Sequence, residues 1–411
     1  MRFLLCGQGT SEILWSIHAA LVDLGHESVL ALPDISQDVI DRRIDVLFVL
    51  NLFEIPRPTV EMLRAYIAQF GGQPGKGPAI VHICLKHPLE EIGAGTAEQI
   101  RDADRWMADN DVSMWCMCQG SAEQAVRLGL SRVFHEPLGV HRSICTAPAA
   151  DGTVDLYKRW MAQDTPGLRH HPYAAMKGHS DAGAEASVRD RFLYLGQGWP
   201  EHLESGRAPD SPAIRRDAET VAAAMMERPM LHRLQAMDGC GLTDRSADPA
   251  WTLEFNRAFT IAFAVENRRR FASALRRGFG EGFSLWGNGW ERFGLDAGPV
   301  SAAPRNAYPT AAACLDFGSL AYDTAIFPRT LEIVKRNGLL VSWRHADTAL
   351  LFGPYEDQLT FTGEDDAVRL LSTLAGDADR RARLRSAYLE HCFDALALTA
   401  ILPRVITRAC G

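Results

Sequence analysis

The chain has 411 residues, with 43 Lys and Arg against 51 Asp and Glu for a formal charge of -8, and it is 47% hydrophobic and 23% charged. That balance excludes a disordered or fibrous chain, and the length excludes a single small module, because domains run at roughly 100 to 200 residues. The acidity is spread along the chain, so neither a nucleic acid nor an anionic membrane surface is expected as a partner.

Arg2 to Cys6 is a short apolar run closed by Gly7-Gln8-Gly9-Thr10. Ile13, Leu14, Ile17, Leu21 and Leu24 then recur at helical spacing until Gly25, a pattern of strand, loop and helix. The glycines also break what would otherwise resemble the apolar core of a signal peptide. Strands are predicted over Glu27 to Leu32 and Val46 to Leu50, a helix over Pro58 to Phe70, and a strand over Ala79 to Leu85 before Lys86-His87-Pro88. A helix from Thr96 to Asp109, a strand from Ser113 to Cys118, a helix from Ser121 to Gly129 and a strand from Ser131 to Glu136 complete six strands alternating with helices. Such alternation produces a parallel, Rossmann-like sheet.

Residues 146–190 are rich in Asp, Ala, Gly, Pro and His with little periodicity, and read as a linker or a substrate-facing loop region. Arg191 to Gly196 is a strand opening a second lobe. One helix is expected over Ala213 to Met237, and Trp251, Phe255, Phe259 and Phe263 mark the buried stripe of another. The arginines that follow, Arg268 to Arg270 with Arg276 and Arg277, either match the helix dipole on a solvated face or grip a diphosphate. Strands return at Phe283 to Trp286, Ala313 to Phe317, Leu339 to Trp343 and Leu359 to Phe361, with a helix from Arg329 to Lys335 primed by Pro328. Two closing helices, Asp365 to Leu374 and Ala378 to about Leu398, precede a short basic segment. The expected division is 1–145, a linker 146–190, a second domain 191–398 with a helical insertion at about 213–278, and a tail 399–411 docking on the first lobe.

Nine cysteines at scattered positions show no paired CxxC knuckles, which fits a reduced, cytoplasmic setting. No run approaches the roughly 20 apolar residues of a membrane span. Gly7-Gln8-Gly9 suits close approach of an anion to a helix N-terminus, but Glu12 occupies the place of the third glycine of a dinucleotide fingerprint. Asp102 with Asp104, and Asp377 with Asp379, lie in polar helical surroundings, and no metal site is assigned to them. His82 and His87 flank the end of the Ala79 to Leu85 strand, where a histidine can serve as general base, although each also reads as a packing or loop residue.

In order, Phe283 to Trp290, Gly298-Pro299-Val300, Tyr308, Phe327-Pro328-Arg329-Thr330-Leu331-Glu332 and Gly338 to Val341 form a set that resembles the C-terminal half of GT-B glycosyltransferases, especially the group of the spore-maturation protein CgeB. The resemblance covers Arg268 to His391. It implies two facing Rossmann-like lobes, a nucleotide-sugar donor on the second, an acceptor on the first, and no obligatory metal or further cofactor. It also implies that Gly287, Asn288 and Gly289 loop over the donor beside Tyr308 and Thr330, that Arg329 faces its phosphates, that Glu332 holds a donor hydroxyl, and that Gly7, Gly9 and Thr10 line the opposite wall. The physical requirement is a fixed guanidinium and a helix N-terminus for the departing diphosphate, which Arg329 meets from sequence position alone. A glycosyltransferase-like binding or assembly protein without turnover, or an NAD(P)-binding oxidoreductase using the first lobe, would share parts of this pattern.

Overall fold

The computed structural model describes residues 1–6, 12–31, 43–70, 77–142, 186–199, 211–299, 304, 307–319 and 325–410. The first lobe is a six-stranded parallel sheet of β1 (Arg2–Cys6), β2 (Glu27–Ala31), β3 (Val46–Leu50), β4 (Ala79–Cys84), β5 (Val112–Cys116) and β6 (Val133–His135), in the order β2-β1-β3-β4-β5-β6. Between these strands run α1 (Glu12–Asp23), α2 (Arg57–Phe70), α3 (Pro88–Ile92), α4 (Ala97–Asp109) and α5 (Gln119–Arg127). Burial on both faces explains why β3, β4 and β5 are continuous apolar or buried runs instead of alternating ones. Thr96 and Gln99 form a capping box that sets the start of α4.

The second lobe is a five-stranded parallel sheet of β7 (Phe192–Leu195), β8 (Phe283–Trp286), β9 (Ala313–Asp316), β10 (Leu340–Trp343) and β11 (Thr360–Phe361), in the order β11-β10-β9-β7-β8. Helices α6 (Pro212–Glu227), α7 (Arg233–Gly239), α8 (Pro249–Phe259) and α9 (Glu266–Phe279) lie between β7 and β8; α10 (Pro328–Lys335) follows β9, and α11 (Glu364–Ala375), α12 (Ala378–Ala395) and α13 (Leu398–Cys410) close the chain. The single helix expected over Ala213 to Met237 is two. Pro229 disfavours helical backbone at the residue before it, and Arg228 ends α6 at φ -130, ψ 76.

Helices α8 and α9 are joined by a π-helical turn, Thr260–Val265, so one helical rod reaches from α3 to β8. The rings at 251, 255, 259 and 263 stack along it at centroid distances of 4.6, 5.7 and 5.0 Å, and Phe263 meets Trp343 edge-on. Packed on the first lobe, α7 and α8 are held by polar contacts: Arg127 pairs with Asp238 at 2.8 Å, and Gln124 donates to the Thr252 hydroxyl. The chain then returns. Val140 and Ala397 form a parallel bridge, and α13 packs against α1, β4 and β5 through Leu398, Ile401, Leu402 and Val405. No helix among the described residues is long and apolar enough to cross a membrane.

Candidate functional site

In the second sheet the chain runs from β7 outward to β8, then crosses back over β7 to β9. The crevice beyond the carboxyl ends of β7 and β9 is therefore a topological switch point, where open α/β sheets bind ligands. Helix α10 begins there. Its N-cap residue, Phe327, has no side chain able to accept from the first-turn amides, and Pro328 sets the entry. Arg329, half-buried in that first turn, donates from Nη1 to the Tyr194 hydroxyl at 3.0 Å and lies over the Tyr194 ring. Burial by itself would lower the Arg329 guanidinium, but Tyr194, Asp316 and Tyr308 outweigh it and hold the proton more firmly than usual.

A second guanidinium stands behind the first. Arg268 of α9 is fully buried and bridges the ends of the two central strands, donating to the carbonyls of Gln197 at 2.6 Å and Gly318 at 2.8 Å. Burial pushes it down to about 10, with the like charge of Arg329 adding to the fall, so it stays charged at neutral pH. The Asp316 carboxylate accepts from the Gly318 amide and the Thr330 hydroxyl. Two guanidinium groups and one carboxylate thus gather at the ends of β7 and β9, beside a helix N-terminus, with Arg268 buried behind Arg329. This is an electropositive corner suited to a phosphate or diphosphate.

Two glycine loops shape its rim. The Trp290 indole donates to the Gly196 carbonyl at 2.8 Å, and the Gly198 amide donates to the Asn288 carbonyl at 2.9 Å. Gly287 has φ 133, and a Cβ there would run into the Gly196 carbonyl. A Cβ on Gly196 would in turn lie 2.6 Å from Arg329 Nη1. The backbones of the two loops touch because neither residue has a side chain.

The structure separates the residues expected from sequence. Arg329 stands at the crevice, with Gly287, Asn288 and Gly289 in the adjacent loop. Thr330 is 3% exposed and committed to Asp316. Tyr308 is 2% exposed and sits in the hydrophobic core, so it does not present its ring to an open cleft. Glu332 lies 3.5 Å from Arg336 in an intrahelical pair. Gly7, Gly9 and Thr10 lie outside the described residues. Of the arginine cluster, Arg269 pairs with Glu266, Arg270 with Glu364, and Arg276 binds backbone carbonyls, which leaves the dipole-and-packing reading for these three. Asp102 pairs with Arg57, and Asp104 accepts from the backbone and hydroxyl of Ser131.

Both histidines expected as bases are withdrawn by burial. His87 caps α3: Nδ1 accepts from the Leu89 amide, and Nε2 faces Gln124 Oε1 at 3.1 Å. Burial and the nearby Arg233 push it down to about 3, so it is a neutral capping group with both nitrogens committed. His82 has no exposed surface and packs edge-on against Phe53. A general base must reach the proton it takes, and neither ring reaches open space. Tyr194, Gly196 and Asp316 are not among the residues expected from sequence, and Arg268 is expected only as one of a cluster of arginines. Gly196-Gln197-Gly198 after a strand was the available signal; the contact of Arg268 with two strand ends had none.

No curated protein matches the chain in sequence. Among solved structures, a mutant of the T4 phage enzyme BGT in complex with UDP-glucose is similar at 10% identity and TM-score 0.48, covering 100% of this chain and 99% of that one. Anabaena HepE in complex with UDP and glucose is similar at 10% identity and TM-score 0.42, covering 99% and 98%. A glycosyltransferase from Rickettsia africae is similar at 8% and 0.39, covering 99% and 97%. Likeness at this level bears on neither ligand nor residue roles. Residues 267–398, the stretch that carries Arg268, β8, β9, α10 and Arg329, match the family model described as glycosyl transferase-like.

Proposed function

We propose that the protein transfers a sugar from a nucleotide-sugar donor, with the donor diphosphate in the β7/β9 crevice and an acceptor on the first-lobe side. The observation that carries this reading is the paired guanidinium corner, Arg329 over Tyr194 with Arg268 behind it, at the N-terminus of α10. As the glycosidic bond breaks, negative charge grows on the leaving diphosphate, and fixed cations that need no reorganisation stabilise that state more than the ground state. The family match over the same residues supports the reading. So does the sequence resemblance to the CgeB group, and a hexosyl donor with no obligatory metal is the form proposed. Isothermal titration against UDP-, GDP-, ADP- and dTDP-sugars is the test: one family of donors should bind with 1:1 stoichiometry, and a folded sample that binds none removes the donor site.

The burial of His82 and His87 favours a second reading, a donor-binding protein without turnover. Donor binding with neither hydrolysis nor transfer over a broad acceptor panel supports that alternative, whereas release of free nucleotide in a sugar-dependent manner excludes it.

A further inference from the structure

A cluster of donor atoms lies in the first lobe, at the end of β4. His82 and Cys84 are two residues apart on β4, so the pleat places both side chains on one face of the sheet. Glu91 of α3 folds back over that face. One carboxylate oxygen, Oε1, is anchored by the Leu85 and Lys86 amides at 3.0 and 2.9 Å, which leaves Oε2 aimed at His82 Nε2 at 3.6 Å. The ligand atoms of His82, Cys84 and Glu91 all lie within 4.8 Å of one another. On the neighbouring strand Cys116 is in register with Cys84; the Cys84 thiol donates to the Lys86 carbonyl at 2.9 Å and the Cys116 thiol to the Cys118 carbonyl at 3.3 Å.

His82 is the unexplained member. Its side chain is wholly buried; Nδ1 has no hydrogen-bond partner among the described residues, and Nε2 faces only the Glu91 carboxylate, at 3.6 Å. A buried imidazole left so costs on the order of 1 to 3 kcal/mol, and native structures rarely leave one without a reason. Phe53 holds the ring edge-on at 5.1 Å, so it is oriented as well as buried. We infer that His82, Cys84 and Glu91 form a site for one zinc-like divalent ion. Imidazole, thiolate and carboxylate are the donor set of tetrahedral zinc, whose neighbouring ligand atoms stand roughly 3.3 to 3.8 Å apart, so a contraction of about 1 Å closes the cage. One thiolate and one carboxylate neutralise a divalent charge, as a buried ion requires. The anchored Oε1 is the outer-shell support that fixes a monodentate carboxylate.

The ligand is the thiolate, so metal uptake releases the Cys84 thiol proton to solvent. All three donors are buried, so no substrate reaches the ion and the site is structural. It would pin α3 to the end of β4, at the wall where α3 meets α5 and α8.

The test uses the full-length protein and the metal alone. Cobalt(II) titrated into chelator-treated protein should give one equivalent of uptake, a thiolate-to-metal charge-transfer band and the intense visible bands of tetrahedral geometry, and zinc should abolish both. Zinc should also raise the melting temperature over that of the chelated protein. The charge-transfer band should disappear or weaken in Cys84→Ser and survive in Cys392→Ser. No uptake by folded protein, or an unchanged band in Cys84→Ser, overturns the site. Should Cys84→Ser fail to fold, zinc-edge X-ray absorption of the wild-type protein decides: sulfur with nitrogen and oxygen supports the site, and a shell without sulfur overturns it.

Discussion

Arg329 and His87 are both ionisable groups drawn out of solvent, yet they take opposite roles. Arg329 keeps its charge because Tyr194 and Asp316 surround it, and it stands in the first turn of α10. Replacing it with Ala removes a charge-assisted contact worth about 1.5 to 3 kcal/mol, so donor affinity should fall by about 10- to 100-fold with little change in the unfolding midpoint. Calorimetric titration of folded Arg329→Ala checks this, and unchanged affinity takes Arg329 out of the site. His87 is neutral in the native state, down at about 3, whereas the unfolded chain takes up its proton near 6.5. Its contribution is therefore complete above 6.5 and is lost as the pH falls toward 3. His18, pushed by burial down to about 4, acts in the same direction. Each group removes up to about 1.4 kcal/mol per pH unit in its window. Urea midpoints between pH 7.5 and 4.5 should fall, and His87→Gln should flatten the decline; parallel profiles for the two proteins would contradict the assignment to His87.

At the scale of elements, the site depends on loops that touch backbone to backbone. Gly287 combines φ 133 with a neighbour, the Gly196 carbonyl, that cannot yield as a flexible side chain would. Gly287→Ala should therefore cost roughly 2 kcal/mol or more of stability and move the 287–290 loop away from 196–199. Donor affinity should drop with it, although the residue contributes no side chain to the site. Denaturant melts with binding measured on the folded fraction separate the two effects, and wild-type values for both would show that the loops do not need contact. Helix α10 carries the complementary lesson. Pro328 and the N-terminal placement of Arg329 were legible from sequence, because proline at the first turn has a local cause. The burial of Thr330 against Asp316 was not, since it depends on a strand 14 residues earlier.

At the scale of the whole chain, the last helix returns to the first lobe and is held by apolar packing with an ionic latch. Glu136, 6% exposed, pairs with Arg404 at 2.9 Å and Arg408 at 3.3 Å. Both arginines are about half-exposed, so the attraction is partly screened. Removing both cations leaves a buried carboxylate uncompensated, and Arg404→Ala with Arg408→Ala should lower stability by about 2 to 3 kcal/mol. Adding Glu136→Gln to that pair should recover part of the loss, a coupling that a thermodynamic cycle measures directly. Additive effects would mean that the latch contributes nothing.

The strands, the helices between them and the parallel class were determined by the sequence itself, because hydrophobic periodicity and proline and glycine signals act within a few residues. β1, β3 and β8 fall on the expected residues, and most other bounds shift by only one or two. The exceptions are Arg228, where Pro229 stops the helix that periodicity predicts to run on, and α3 and α13, helices that the sequence pattern does not mark. Which residues share a site was decided by tertiary structure alone. Arg268 reaches Gln197 and Gly318 across 71 and 50 residues of chain, and His82 meets Glu91 only because α3 folds back over β4. Whether a histidine is a base, a cap or a metal ligand depends on burial and partners. Those are set by packing between distant segments, and no local pattern records them.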